Sequence, residues 1–204
     1  MDRPKIIAIC GLKRSGKDVI ADHLVNKYGY EKIKFADPLK KAVKELFEFT
    51  EEQVGDSDDK DIMDTRWNIT PRKALQFFGT EVMQFKIQEL LKGVDRKFFA
   101  KSLVYKINTN NNDKKYVISD LRFYHEYEEL EKIGVYIIRV ERHLDNNDHH
   151  ISEVEYTKIP FHNIINNNKD ILNRNITIVD ININDYYPQN IIELIKNKFT
   201  YLIK

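Results

Sequence analysis

The chain has 204 residues, enough for one α/β domain with a full core, and its 42% hydrophobic content excludes wholesale disorder. Lys and Arg number 33 against 32 Asp and Glu, so the net charge is +1 and no global field draws the protein to nucleic acid or to a membrane surface. No apolar run approaches a membrane span and the N-terminus has neither signal- nor transit-peptide character, so the expectation is a soluble intracellular protein.

The first element is the apolar run Ile6-Ile7-Ala8-Ile9-Cys10, which predicts a buried strand. Cys10, the single cysteine, reads as a small core residue, and no intrachain disulfide can form. There follows Gly11-Leu12-Lys13-Arg14-Ser15-Gly16-Lys17-Asp18, then a helical period through Ile20, Leu24 and Tyr28. Strand, glycine-bounded turn and helix form the context in which a phosphate-binding loop has meaning. Loop N–H groups and the helix N-terminus converge on phosphate, and Lys17 reaches the β/γ oxygens. The position after the lysine is usually Ser or Thr, whose hydroxyl meets Mg²⁺. Here it is Asp18, a hard-cation ligand that also sets a negative charge beside phosphates. The bland alternative is a glycine turn at a helix start with a solvated basic pair, Lys13 and Arg14.

Residues 30–35 read as a second short strand, and Asp37-Pro38 opens a helix with Leu39, Ala42, Val43, Leu46 and Phe47 as its apolar stripe. Thr50 and Gln53 form a capping box for a further turn, ended by Gly55. The acidic stretch 56–64 lacks the glycine and terminal Glu of a calcium loop and reads as a solvated loop. Thr70-Pro71 starts another helix, buried through Ala74, Leu75 and Phe78, with Arg72 and Gln76 one turn apart on another face. Gly79 is expected to end it and Thr80 to cap the next, which carries Val82, Phe85, Ile87 and Leu91. A fourth helical pattern spans 96–107, and the tract 108–113 reads as a polar surface loop.

The second informative strand is Tyr116-Val117-Ile118-Ser119-Asp120. A buried strand ending in Asp is where a nucleotide-binding fold presents a carboxylate to metal or substrate; a helix N-cap is the alternative for Asp120. A helix through Glu126, Leu130 and Ile133 closes at Gly134, and 135–140 is another apolar strand. This alternation argues for a parallel sheet covered on both faces. The polar stretch 141–160, holding Arg142, His149, His150, Ser152 and Glu153, suits a lid; the adjacent histidines lack further ligands at zinc spacing. Strands at 162–165 and 176–181 and a last helix at 188–199 complete the pattern, with an asparagine-rich piece, 166–175, that carries no clear period.

Four pieces, in order, resemble the deoxynucleoside monophosphate kinases of phages and large DNA viruses. They are the loop 11–18, where that family also has Asp after the lysine; Phe35-Ala36-Asp37-Pro38-Leu39-Lys40; Thr70-Pro71-Arg72-Lys73-Ala74-Leu75-Gln76 with Gly79-Thr80-Glu81; and Ser119-Asp120-Leu121-Arg122-Phe123 with Glu126, followed by His150-Ile151-Ser152-Glu153. Together they span residues 5–155, and the third is the most diagnostic. Val19 stands where the family has Thr, and Phe98-Phe99 where a tryptophan is common.

The resemblance implies a single P-loop nucleotide-kinase domain over 1–204: a parallel sheet flanked by helices, a mainly helical acceptor region at 37–108 and a lid at 141–160. It implies ATP and Mg²⁺ as cofactors and a deoxynucleoside monophosphate as the other small-molecule substrate, leaves room for a homodimer, and suits the cytoplasm, that of the host for a viral protein. Gly11, Lys13, Arg14, Ser15, Gly16, Lys17, Asp18, Val19 and Arg142 would hold ATP, with Asp18 on the metal. Lys13, at the loop's crown, also lies toward the acceptor phosphate. Arg72 and Arg122 would grip that phosphate through paired hydrogen bonds, the alternative for each being an ion pair on a helix surface. Asp37, Gln76, Thr80 and Glu126 would offer polar contacts, Phe99 a stacking plane, and Asp120 a carboxylate for Mg²⁺ or a substrate hydroxyl. Arg139 and Arg142 either move with the lid or sit on the surface. Two rivals stand beside this reading. Animal-type phosphomevalonate kinases resemble the chain in the phosphate loop and in His-x-Ser-Glu, and a regulatory NTP switch or nucleic-acid ATPase is disfavoured by the neutral charge.

Overall fold

The computed structural model describes residues 3–110, 113–142 and 155–167. The histidine pair, most of the expected lid, the asparagine-rich piece beyond Asn167, the strand expected at 176–181 and the last helix lie outside the described residues. Among the described residues, no helix is long and apolar enough to cross a membrane. The chain divides into two compact units: residues 1–32, 113–122 and 134–204 form one, and 33–112 with 123–133 form the other.

The first unit is built on a five-stranded sheet. Strands β1 (Ile6–Gly11), β2 (Glu31–Ile33), β3 (Tyr116–Leu121), β4 (Tyr136–Glu141) and β5 (Asn163–Asn166) lie in the order β2-β3-β1-β4-β5. The pairings β1–β3, β1–β4 and β4–β5 are parallel. β1 is central and wholly buried, as its unbroken apolar run requires. Helix α1 (Lys17–Tyr28) packs Ile20, Ala21 and Leu24 onto Ile7, Ile9, Val117 and Ile138 of the sheet. Gly29 ends it in the left-handed conformation, φ 70°, its N–H reaching back to the last turn. The Tyr30 hydroxyl donates to Pro4 O at 2.6 Å, and burial pushes its pKa up to about 12. β3 carries a bulge: Ala8 pairs with Ile118 but Cys10 with Leu121, so Ser119 and Asp120 occupy the span of one residue on β1.

The second unit is helical: α2 (Asp37–Phe47), α3 (Glu51–Val54), α4 (Pro71–Gln76), α5 (Ile87–Leu90), α6 (Phe98–Thr109) and α7 (Tyr124–Glu131). Its core is Val43, Phe49, Val54 and Ala74, with Leu39, Phe47, Ile69, Leu75 and Phe78 against it. Three expectations need correction here. Residues 77–86 form a π-helix running straight from α4 into α5, so Gly79 ends nothing and Thr80 caps nothing. Gly79 instead permits close packing, because a Cβ there would lie 2.7 Å from Leu39 Cδ2. Leu46, placed on the buried stripe of α2, is 62% exposed. The acidic stretch is not simply solvated. Asp56 takes Lys34 and Lys40 at 3.0 Å each, and buried Asp64 takes Arg66 at 2.7 Å and Gln53 at 3.2 Å. Those hydrogen bonds hold both carboxyls below the usual carboxylate range, against the opposing effect of burial.

Candidate active site

The parallel strands of the first unit end together, at the edge where an α/β sheet presents its loops to ligands. β1 delivers residues 11–18 there, and two glycines allow the turn. Gly11 has φ 142°, and a Cβ on it would lie 2.2 Å from Val140 O on the neighbouring strand. Gly16 has φ 104°, and a Cβ on it would lie 2.5 Å from Asn167 Nδ2. Gly11→Ala therefore strains the backbone and drives carbon into a carbonyl that the sheet holds fixed. It is expected to cost at least about 2 kcal/mol, seen as a melting temperature lower by roughly 4 °C or more.

Three side chains brace the loop by its carbonyls. Lys17, 6% exposed, donates from Nζ to Gly11 O at 2.9 Å and to Leu12 O at 2.5 Å. Arg142, just past β4, donates to Arg14 O at 3.0 Å, and Asn167, just past β5, donates to Ser15 O at 2.7 Å. Arg14 adopts φ 63° at the crown of the loop. The Ser15 hydroxyl is fully buried and has no hydrogen-bond partner among the described residues. Asp18 opens α1 with its side chain 51% exposed. Its Oδ1 accepts from Ser119 Oγ at 3.0 Å and lies 2.8 Å from Lys32 Nζ. The β3 bulge thus places Ser119 on the carboxylate that follows the loop lysine. Among the described residues, no group of three or more His, Cys, Asp or Glu could hold a metal ion by itself.

Asp120 lies inside β3, so the N-cap reading for it is wrong. Phe123 holds the N-cap position of α7, and its N–H donates to Glu126 Oε2 at 3.0 Å. Glu126, expected to meet substrate, is 8% exposed and used in that cap. Arg122 follows β3 directly, and Val19 is exposed on the first turn of α1. Arg139 is a second correction. It is anchored on β4, donating to Thr157 O at 3.0 Å and Ile159 O at 2.5 Å and lying over the Phe161 ring at 4.2 Å. Those contacts make it a strut between β4 and the segment before β5, not a mobile arm.

In the helical unit, Thr70 Oγ1 accepts from Lys73 N–H at 3.3 Å and Pro71 sets the first turn of α4, as the cap logic required. Arg72 is presented from that turn, where Asp61 takes both Nε and Nη2, the latter at 2.6 Å. Gln76 ends α4, Thr80 lies on the π-helix, and Phe99 on α6 meets Phe98 edge-on at 5.5 Å. Asp37 accepts from Lys34 N–H at 3.0 Å, bonding back to the turn before its helix. Sequence reasoning missed Asn167 and Asp61. Neither is marked by local spacing, and both declare themselves only through long-range contacts.

A family model described as deoxynucleotide monophosphate kinase matches residues 5–68 and 56–176. A protein of Acanthamoeba polyphaga mimivirus named "Putative deoxynucleotide monophosphate kinase" is 37% identical over 173 residues, which cover 81% of this chain and 90% of that one. Among solved structures, a Thermus thermophilus protein aligns with TM-score 0.46 at 15% identity, over 91% of this chain and 100% of its own. A Chloroflexus aurantiacus protein titled a "putative kinase" aligns with TM-score 0.36 at 11% identity, over 70% and 62%.

Proposed function

Since the chain belongs to the deoxynucleotide monophosphate kinase family, we propose that it transfers the γ-phosphoryl group of ATP, with Mg²⁺, to a deoxynucleoside monophosphate. The observation that carries the donor half is the braced loop: glycines at 11 and 16, and carbonyls held by Lys17, Arg142 and Asn167. Both substrates are polyanions, so the reaction depends on fixed cations and N–H dipoles. Lys17 exchanges its carbonyl partners for β/γ oxygens, while Lys13 and Arg14 meet the charge that develops between donor and acceptor. Arg72 and Arg122 take the acceptor phosphate, and Gln76, Thr80 and Phe99 contact its sugar or base. The chain works as one kinase domain, acting on the cytoplasmic nucleotide pool.

The residues beside the loop suit Mg²⁺. Asp18, Ser119 and Ser15 offer hard oxygens, and a phosphate oxygen or a cation-bound water would satisfy the buried Ser15 hydroxyl. Mg²⁺ in such sites keeps several waters and takes the rest of its ligands from phosphate, so one carboxylate, Asp18, suffices. The cation neutralises charge on the transferred group. Asp18→Asn, a weaker ligand, is expected to raise the Mg²⁺ concentration for half-maximal rate by about tenfold, on the order of one charge-assisted contact. An unchanged Mg²⁺ titration would instead assign Asp18 to ordering the loop through Ser119 and Lys32.

The acceptor is tested by coupled ADP release with dTMP, dGMP, dCMP, dAMP, the ribonucleotides and phosphomevalonate. Turnover with one or more deoxynucleotides and none with phosphomevalonate is expected. Turnover confined to phosphomevalonate would overturn the reading.

A further inference from the structure

The geometry points to Asn167 as a positioning residue for the donor phosphates: its amide fixes the Ser15–Gly16 peptide so that the Gly16 N–H is aimed at ATP. This rests on the reading of residues 11–18 as the ATP loop.

Asn167 is mounted on the sheet. Its own N–H donates to Glu141 O at 2.7 Å, extending the β4–β5 ladder one residue past the Glu141–Asn166 pair. The residue is 7% exposed, and its Nδ2 donates to Ser15 O at 2.7 Å. The partner is a carbonyl, so the contact requires the amide nitrogen. In a planar trans peptide the carbonyl and the following N–H point in opposite directions. Holding Ser15 O toward β5 therefore turns the Gly16 N–H away from β5, to the side that receives phosphate.

A second observation marks the same approach. A Cβ on Gly16 would lie 2.5 Å from Asn167 Nδ2. A Cβ at that position would push the amide off its present contact with Ser15 O. The two residues are complementary halves of one contact, separated by about three-quarters of the chain. Lys17 and Arg142 hold the carbonyls of residues 11, 12 and 14, and Asn167 adds a restraint on the carbonyl of residue 15.

A preset N–H costs nothing to orient when phosphate arrives, whereas a free peptide must be ordered at the expense of affinity. Loss of the brace should appear in the Michaelis constant for ATP and not in that for the acceptor.

The test compares Asn167→Ala and the isosteric Asn167→Asp with wild type, using steady-state kinetics with MgATP and the best deoxynucleotide. The expected result is an ATP KM raised about threefold to tenfold for Ala and further for Asp, whose carboxylate opposes the Ser15 carbonyl. The acceptor KM should stay within about twofold of wild type. Asp can donate when protonated, so lowering the pH toward 5 should narrow the Asn167→Asp defect relative to wild type and leave that of Asn167→Ala unchanged. That pH difference reports the hydrogen bond to Ser15 O itself, and the rise of the ATP KM without the acceptor KM is what a purely structural residue would not give. An unchanged ATP KM in both variants, or equal rises for ATP and acceptor, overturns the proposal. Lys17→Ala, run alongside, separates the two readings. If it too leaves ATP untouched, the loop does not bind ATP; if it alone weakens ATP, only the brace is wrong. Should Asn167→Ala fold poorly, Asn167→Asp preserves volume and carries the test.

Discussion

Lys17→Ala is expected to lower kcat/KM by about 10²–10³-fold, the effect of removing one preorganised charge from a transition state. The lysine is the one loop cation that is buried, and the loop's own carbonyls hold it at 2.9 and 2.5 Å. It is therefore desolvated before any substrate binds, and a charge in such a place interacts more strongly than one in water. The change also strips two carbonyls of a partner, so a stability effect accompanies the kinetic one. Lys17→Met separates them, because it retains the aliphatic stem that packs beside β1 and loses only the ammonium. Both variants should share the kinetic loss, with Met melting closer to wild type. Near-normal turnover in Lys17→Met would remove ATP from this loop.

The loop was legible in the sequence because the features that announce it are local. An apolar strand, two glycines and a helical period lie within a single stretch, and the physics of each acts over a few residues. The brace from Asn167 was not legible. Asn167 lies 152 residues from Ser15, inside an asparagine-rich piece that carries no clear period. Only the parallel register of β4 and β5 brings it to the phosphate edge. The same reason explains Arg139, which from sequence was a cation near a lid and in the fold is held by the carbonyls before β5.

Local rules failed in a different way at 79–80. A Gly-Thr pair normally punctuates helices, yet the backbone continues with π geometry, and Leu39 of α2 packs at Gly79. Tertiary packing overrode the turn signal. At Asp120 the misreading came from a bulge, which no period in the sequence announces. The acidic stretch was misread because most of its partners, Lys34, Lys40 and Arg72, are dispersed along the chain.

Arg72→Lys is the second large effect expected, and it should fall on the acceptor. Thr70 and Pro71 fix the first turn of α4, and Asp61 takes the Nε and Nη2 side of the guanidinium. A guanidinium has a second edge, formed by Nη1 and Nη2, and can hold a carboxylate on one side while gripping phosphate on the other. A lysine ammonium is a point charge on a flexible stem and cannot reproduce a planar two-sided contact. With Asp61 beside it, the ammonium would be drawn to the carboxylate, and the phosphate would lose its partner. The KM for the nucleoside monophosphate should rise, and kcat/KM should fall by about tenfold or more, as expected for a lost charge-assisted hydrogen bond of about 1.5–3 kcal/mol. The KM for ATP should move far less, because the braced loop in the other unit holds the donor. Asp61→Asn in the Arg72→Lys background sharpens the test: removing the competing carboxylate should return part of the lost acceptor affinity. Equal weakening of both substrates by Arg72→Lys would make the residue structural, its pairing with Asp61 serving only to tie the acidic stretch to α4.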